Sequence, residues 1–248
     1  MENGLEFVLV VERSKLFTRW VPCGFFYEDE QMGVMRDWKE VMKDSFFMER
    51  AYAETHSQYK QIIPYIVVSS NKDSVNVLDE TTYPTFVYQR IGKWGEKRLH
   101  NKFSIGVGGH INSEDQAETR LETFVNGGMR ELQEELDFIS VVGHKTVEDQ
   151  LLNPIGFIND DTTDVGSVHF GVVCAVLVDH AEVRETSQIR GRFVYPHLLY
   201  DYPRAMHTLK QTEEVGEFES WSQFLIDAQE NMNGTKETSK EKEELLGI

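Results

Sequence analysis

The stretch that most constrains the fold is VHFGVVCAVLV, residues 168–178, which is apolar at nearly every position. A strand with one face in water alternates apolar and polar residues, so this continuous run predicts a strand buried on both faces. Other β-branched and aromatic runs predict partner strands, at residues 5–11, 61–70 and 85–90. Helices must then cover both faces of the sheet.

Helical spacing of apolar residues appears in three places. Residues 30–60 are helix-like, a second helix ends near Asp137, and residues 217–230 close the fold with a third. The order predicts an α/β (α+β) chain with a mixed sheet. We predict an N-terminal elaboration at residues 1–60 packed on a core domain at 61–231, and a polar tail at 232–248.

The charge of the chain argues against several classes of partner. Its 25 basic and 42 acidic residues give a net charge of −17, which repels nucleic acids and phospholipid surfaces. No apolar run reaches the roughly 18 residues of a membrane span, and the N-terminus lacks the pattern of a signal peptide. The two cysteines, Cys23 and Cys174, form no CxxC motif. We therefore expect reduced thiols and a cytoplasmic protein.

The second helix groups three glutamates. On a helical wheel, residues 121–136 place an apolar stripe on one side: Leu121, Val125, Met129, Leu132 and Leu136. Glu131, Glu134 and Glu135 fall together beside it. The paired glycines cost about 1 kcal/mol each in a helix interior. We expect Gly128 to approach the sheet and Gly127 to leave open space.

The glutamate spacing by itself has two interpretations. The usual one is a solvated acidic face, although positions 138 and 139 hold no lysine to offset the repulsion. The other is a metal site, because three carboxylates in one place suit a hard divalent cation. Upstream, SIGVGGHI at residues 104–111 predicts a strand that runs into glycines, where backbone carbonyls are accessible.

These residues resemble the signature of the Nudix hydrolase superfamily (MutT-like pyrophosphohydrolases), GX5EX7REUXEEXGU, in which U is apolar. The run ETFVNGGMRELQEELDF, residues 122–138, matches its later part, and Gly108-Gly109 matches its start. The matching positions in the run are Glu122, Arg130, Glu131, Leu132, Glu134, Glu135 and Phe138. The resemblance implies a Nudix-type α/β/α sandwich with a mixed central sheet.

Two departures from the signature affect the helix. Asp137 replaces the glycine that ends the helix in the family, and because Asp tolerates left-handed backbone we expect the turn to survive. Twelve residues separate Gly109 from Glu122 where the family has five, which lengthens this loop by about seven residues. The helix then starts either at Thr119, with Glu122 in a capping box, or at Thr123. The family alignment implies Thr123, which we predict.

The resemblance assigns roles by position. The implied ligands of Mg²⁺ or Mn²⁺ are helix carboxylates and one carbonyl of the glycine pair: Glu131, Glu134, Glu135 and Gly108 or Gly109. Glu134 and Glu135 are the implied catalytic carboxylates, Arg130 orients them, and Glu122 contacts Arg130. The family mostly cleaves diphosphate linkages in nucleoside-diphosphate derivatives, so we predict metal-dependent hydrolysis by water attack on phosphorus.

Other functions stay open. A catalytically silent Nudix domain can sense a nucleotide ligand as a regulator, although three intact glutamates favour an enzyme. Another diphosphate reaction, such as prenyl-diphosphate isomerisation, needs an acid–base pair that the sequence does not identify. The implied partner is a small nucleoside-diphosphate derivative. Because many relatives are dimers, a homodimer is a further alternative. The sequence does not name the substrate.

The general base and the substrate contacts are candidates only. The base is a signature or a loop carboxylate: Glu134, Glu135, Asp160, Asp161, Asp164 or Glu185. GEKRLHNK, residues 95–102, is basic within an acidic chain, which a phosphate partner or an ordinary hairpin tip explains equally. The candidate substrate contacts are Arg98, Lys102 and His110. Tyr88 and Trp94 have the rings to stack on a base, although core packing is the commoner role.

Overall fold

The computed structural model describes residues 5–27, 35–72, 75–77, 80–91, 101–141, 143–184, 189–200, 202–203 and 216–229. Its centre is a parallel pair of strands, β4 (Tyr59–Ser70) and β12 (His169–Val183), in register from Gln61 beside His169 to Ser70 beside Val178. Residues 169–174 of β12 are all buried. The predicted central strand is confirmed.

Within the described residues, eleven strands form the main sheet. The other strands in the described ranges are β1 (Phe7–Glu12), β2 (Gly24–Phe26), β3 (Phe46–Glu49), β5 (Val75–Val77), β6 (Glu80–Thr82), β7 (Thr85–Arg90), β8 (Phe103–Ser104), β9 (Gly106–Val107), β10 (Leu136–Ser140), β11 (Gly156–Asn159) and β13 (Ile189–Val194). The longest path runs β13-β7-β4-β12-β11-β2, and β5 and β6 pair separately. Since β4 and β12 are parallel and the other pairs of the main sheet antiparallel, the sheet is mixed.

Helices cover both faces of the sheet, as predicted. Where the structure describes the chain, its α-helices include α1 (Arg13–Leu16), α2 (Trp38–Lys43), α3 (Arg50–Ala53), α4 (Arg120–Glu135), α5 (Val147–Leu151), α6 (Asp164–Val168) and α7 (residues 220–229). On one face Ile66 of β4 belongs to the same buried cluster as Phe124 and Leu132 of α4. On the other, Tyr65 packs with Trp221 of α7. The α/β/α arrangement is therefore confirmed. No helix in the described ranges combines the length and apolarity needed to cross a bilayer.

The N-terminal residues add strands to the sheet. β1 pairs with β4 and β2 pairs with β11. The predicted helix over residues 30–60 is wrong in its middle, because β3 separates α2 from α3 and pairs with β1, Phe47 opposite Leu9. The aromatic residues of β3 gain cross-strand partners in β1, and this packing outweighs the helical spacing of the apolar residues. The domain boundary at residue 60 stays a prediction, and the tail at 232–248 lies outside the described residues.

Thr119 is the N-cap of α4, so the prediction that the helix starts at Thr123 is wrong. The Thr119 hydroxyl accepts a hydrogen bond of 3.1 Å from the Glu122 amide, and the Glu122 carboxylate accepts one of 3.0 Å from the Thr119 amide. This reciprocal capping box satisfies two backbone donors at once. The Thr123 hydroxyl instead bonds back to the Thr119 carbonyl at 2.9 Å, inside the first turn.

α4 runs into β10 without a left-handed residue. Leu136, the last cap position, is extended at φ −130° and ψ 139°. Asp137 pairs in register with Glu182 of β12, and its carboxylate accepts a hydrogen bond of 2.9 Å from Arg184 Nε. The expected turn at Asp137 is therefore wrong. Sheet pairing begins at Leu136, so the chain needs no glycine there.

The two glycines of α4 both face packed atoms. A Cβ on Gly128 would lie 3.3 Å from Leu151 and 3.6 Å from Ile66 of β4, which confirms the expected approach to the sheet. A Cβ on Gly127 would lie 2.9 Å from Ile111 and 3.1 Å from Asp115 Oδ2. The open space expected at Gly127 is therefore wrong, because the loop before α4 folds against it.

Candidate active site

The signature glutamates sit in different environments at the C-terminal end of α4. The side chains of Glu131 and Glu135 are 15% and 18% exposed, whereas Glu134 is 59% exposed. Glu131 lies against the glycine pair, since a Cβ on Gly109 would be 2.3 Å from its Oε2. A Cβ on Gly108 would be 1.9 Å from the carbonyl oxygen of Pro64 in β4. Only glycine lets this backbone pass between β4 and Glu131.

Glu135 is held by an arginine from β7. Arg90 Nη2 lies 3.3 Å from Glu135 Oε1 and donates a hydrogen bond of 3.1 Å to the Tyr88 hydroxyl. Tyr88 in turn donates to the Gly106 carbonyl at 3.0 Å, and its ring is buried. Tyr88 is thus a core residue, which agrees with the commoner role expected for it. Arg90 supplies Glu135 with the positive charge that position 139 does not offer.

The carboxylates of Glu131 and Glu135 are desolvated. Burial raises the pKa of Glu131, and the hydrogen bond from Arg130 only partly opposes the effect. Burial likewise raises the pKa of Glu135 against the attraction of Arg90. Oε2 of Glu135 is buried without a hydrogen-bond partner in the described part of the chain. Desolvated oxygen donors with an unsatisfied atom fit a hard divalent cation.

Arg130 connects the helix to the loop before it. Its Nη1 donates to Glu131 at 2.8 Å and to Glu134 at 3.3 Å, and its Nη2 donates to the His110 carbonyl at 2.7 Å. Its Nε and Nη2 also donate to the two carboxylate oxygens of Asp115, each at 2.9 Å. These five contacts fix the guanidinium, and through it Glu131.

Asp115 takes the position predicted for Glu122. It lies six residues after Gly109, the spacing between glycine and acid in the signature, at the end of a 3₁₀ helix over Ser113–Asp115. Glu122 instead closes the capping box of α4. Fourteen residues separate Asp115 from Arg130 where the signature has seven, so the extra residues follow the acid instead of preceding it. Folding brings Asp115 back against Arg130 across that insertion.

A cleft of about 440 Å³ opens beside the glycine pair. Arg90 and Lys102 lie in its wall together with the aromatic rings of Tyr65 and Trp221. The Tyr65 hydroxyl donates a hydrogen bond of 2.5 Å to Glu219, a buried carboxylate that precedes α7. The cleft therefore combines positive charge with ring surfaces beside the glycine pair.

Comparison with known proteins places the chain in a family. No model of a known protein family matches the sequence. Protein YmaB of Bacillus subtilis (strain 168) is 32% identical over 228 residues, which span 90% of this chain and 96% of that protein. This chain belongs to the YmaB family.

The fold of this YmaB-family chain is the Nudix fold. The crystal structure of Tm1382, a candidate Nudix hydrolase, superposes with a TM-score of 0.64 and 24% identity, covering 92% of this chain and all of that one. The Nudix domain of Shewanella oneidensis NrtR complexed with ADP ribose overlaps over 70% of this chain and 88% of its own, with 12% identity and a TM-score of 0.33. That score is too low to establish a common fold by itself. The resemblance to the Nudix superfamily is confirmed in the fold.

In the structure of this YmaB-family chain, only some of the predicted substrate contacts fall within the described residues. Lys102 and His110 line the cleft, whereas Arg98 and Trp94 lie outside the described residues. Burial lowers the pKa of His110 to about 3, with the charge of Arg50 adding to the effect. His110 is therefore neutral at physiological pH and makes no cationic contact with a phosphate.

Two of the loop acids proposed as general bases make hydrogen bonds or ion pairs with other residues. Asp160 accepts hydrogen bonds from the Thr162 amide at 3.0 Å and hydroxyl at 2.5 Å. Asp161 pairs with Arg13 and with the buried Lys60. Asp164 is exposed in the first turn of α6, and Glu185 lies outside the described residues.

Several residues of the site escaped the sequence reasoning. For Asp115 the sequence did contain a signal, because its spacing from Gly109 is that between glycine and acid in the signature. Arg90, His169 and Glu219 had none, because each reaches the cleft only through long-range contacts. Among the described residues, the group of three potential metal-ligand atoms within 4.8 Å is Glu54, His110 and His169, and it does not include the signature glutamates.

Proposed function

We propose that this YmaB-family chain hydrolyses a phosphoanhydride linkage in a nucleoside-diphosphate derivative, with a divalent cation as cofactor. The observation that carries the proposal is the pair Glu131 and Glu135. Both are desolvated at the end of α4, one against Gly109 and the other with an unpartnered oxygen. Burying ionised carboxylates in this way costs free energy unless a cation compensates their charge.

We assign the cation, Mg²⁺ or Mn²⁺, to Glu131, Glu134, Glu135 and a carbonyl of Gly108 or Gly109. Such a cation supplies Lewis-acid polarisation of phosphate oxygens and a bound water of lowered pKa. Arg130 fixes the carboxylates of Glu131 and Glu134, so it acts as a positioning residue.

Glu134 is our preferred general base. Its side chain is 59% exposed, and its contact with Arg130 is the longest of those that Arg130 makes, at 3.3 Å. It can therefore accept a proton from water. Glu135 is less suited, because Arg90 holds one of its oxygens. Asp160 and Asp161 already accept hydrogen bonds from other residues.

The walls of the cleft support the substrate class. Arg90 and Lys102 offer positive charge to a diphosphate, and Trp221 offers a ring for a base. The mixture of the two suits a nucleotide derivative better than a purely apolar ligand. Both cysteines, Cys23 and Cys174, are free thiols, in keeping with the cytoplasmic setting that we also propose.

A substrate panel tests the proposal. The purified chain with Mg²⁺ or Mn²⁺ is assayed against nucleoside-diphosphate sugars, dinucleotides and nucleoside triphosphates, beside a Glu134→Gln plus Glu135→Gln double variant. Glu148→Gln, an acidic residue in the first turn of α5, is the matched control. We expect turnover that the double variant loses and the control keeps. Binding without turnover would instead favour the regulatory alternative, and equal turnover in the double variant would exclude these carboxylates.

A further inference from the structure

A second group of metal-binding side chains lies at the wall of the cleft. Glu54, His110 and His169 each place one potential ligand atom within 4.8 Å of the others. Three distant segments meet here, since Glu54 follows α3, His110 follows the glycine pair and His169 begins β12. We propose that these three side chains bind a divalent transition-metal ion such as Zn²⁺, at a site separate from the signature glutamates.

The two imidazoles are spaced for a shared ion. His110 Nε2 and His169 Nε2 are 3.1 Å apart. Two nitrogens at about 2.0–2.1 Å from one tetrahedral zinc lie roughly 3.3 Å apart, so a small adjustment suffices. A direct N–H···N hydrogen bond between the two rings also gives this distance. The surroundings of each ring therefore decide between such a hydrogen bond and a shared ion.

The ring of His169 is oriented as a ligand. Its Nδ1 lies 2.7 Å from the Val165 carbonyl oxygen. A carbonyl only accepts hydrogen bonds, so Nδ1 carries the proton and the lone pair of Nε2 points toward His110. A metal-binding histidine is typically fixed in this manner, with its other ring nitrogen donating to a carbonyl or carboxylate.

Glu54 can complete the site without leaving a charge unpaired. It is exposed at the end of α3, and its ion pair with Arg50 is long, at 3.5 Å. Arg50 also donates to both carboxylate oxygens of Glu6, at 3.0 and 3.1 Å. Rotation of Glu54 toward an ion therefore leaves Arg50 with a partner. The nearby charge of Arg50 opposes a cation, so we expect moderate affinity.

The ligand set distinguishes this site from the carboxylate site. Two imidazoles and one carboxylate suit Zn²⁺ or Co²⁺, whereas oxygen ligands alone suit Mg²⁺. Three protein ligands leave a coordination position open, as in catalytic zinc sites. His110 and His169 both line the cleft, so an ion that they held would lie at its wall. The inference stands on these contacts and does not depend on the proposed hydrolysis.

Cobalt and zinc titrations of the metal-stripped full chain test the site. We expect one tightly bound Co²⁺ per chain with the visible absorption of a low-coordinate ion, displaced by one Zn²⁺. His110→Gln and His169→Gln should weaken binding by at least about 100-fold, the upper end of the loss caused by removing a residue that only hydrogen-bonds to a metal ligand. His180→Gln is the matched control, because His180 pairs with Glu182 outside the cleft. The Glu131→Gln plus Glu135→Gln variant should keep the absorption of the low-coordinate Co²⁺, which separates this site from the proposed Mg²⁺ site.

A second arm avoids substitution of a buried residue. His169 is buried, so thermal melting of its variant checks that the fold is retained. Glu54→Gln changes an exposed side chain and should weaken Zn²⁺ binding by at least about 10-fold. X-ray absorption of the Zn²⁺-loaded wild type should show two imidazole ligands. Failure of the wild type to bind Zn²⁺ or Co²⁺ more tightly than surface carboxylates do, or a spectrum without two imidazoles, overturns the site.

Discussion

Asp115 accepts two hydrogen bonds from Arg130, from Nε to Oδ1 and from Nη2 to Oδ2, both at 2.9 Å. The pair joins the loop after the glycines to the helix that carries the glutamates. A bidentate arginine–carboxylate contact fixes direction as well as distance. Arg130 is thereby oriented toward Glu131, and the seven extra residues between the partners do not disturb this contact.

Asp115→Asn should therefore lower stability by about 2–3 kcal/mol, since it removes a buried charge that pairs with Arg130. Metal binding and turnover should fall with it. Glu122→Gln should cost at most about 1 kcal/mol, because only the cap of α4 is affected. Urea unfolding and Mn²⁺ titration of both variants measure the difference. A larger loss of Mn²⁺ affinity in the Glu122 variant would contradict the assignment.

Gly109→Ala should displace Glu131. The added Cβ would stand 2.3 Å from the Glu131 carboxylate oxygen, so the side chain must move. We expect Mn²⁺ affinity to fall by at least about 10-fold. Gly128→Ala is the control, because its Cβ meets no atom closer than 3.3 Å and alanine favours the helix by about 1 kcal/mol. Wild-type affinity in Gly109→Ala, measured by calorimetry, would disprove a metal site at Glu131.

The charge of Arg90 should set the pH dependence of the site. Burial raises the pKa of Glu135, and Arg90 counteracts that rise. The cation binds the ionised carboxylate, so affinity and activity should increase with pH as the proton is lost. Arg90→Met raises this pKa further and should shift the half-maximal pH upward. Arg184→Met, which loses only the contact with Asp137, should cause no shift. A flat activity profile between about pH 5 and pH 9 would speak against ionisation of these carboxyls as a requirement.

Asp161 should stabilise the fold at neutral pH. Burial opposes its ionisation, but hydrogen bonds from Arg13 and Lys60 outweigh this and hold its pKa below the ordinary 3.8. Because the folded-state pKa is depressed, the stabilisation is complete above about pH 4 and decreases as the pH falls toward the folded value. Asp161→Asn should cost about 2 kcal/mol at pH 7, since the buried Lys60 loses its counter-charge. Denaturant unfolding from pH 7 to pH 3 should show the gap to wild type narrowing, and a constant gap would refute the linkage.

The sequence by itself determined the elements whose pattern is local. An uninterrupted apolar run can be stable only between two covered faces, and β12 lies there. The spacing of Glu131, Glu134 and Glu135 on α4 follows from helical geometry alone. The central strand and the place of the glutamates on α4 were therefore predictable from neighbouring residues, whereas the Nudix fold followed from the resemblance to the family signature.

The tertiary structure decided which distant residues complete the site. Asp115 and not Glu122 meets Arg130, because the capping box at Thr119 uses Glu122 first. Arg90 reaches Glu135 from another strand. His110 meets His169 because two strands and a loop converge. Such contacts leave no periodic trace in the sequence, since side chains far apart along the chain become neighbours only once the sheet has formed.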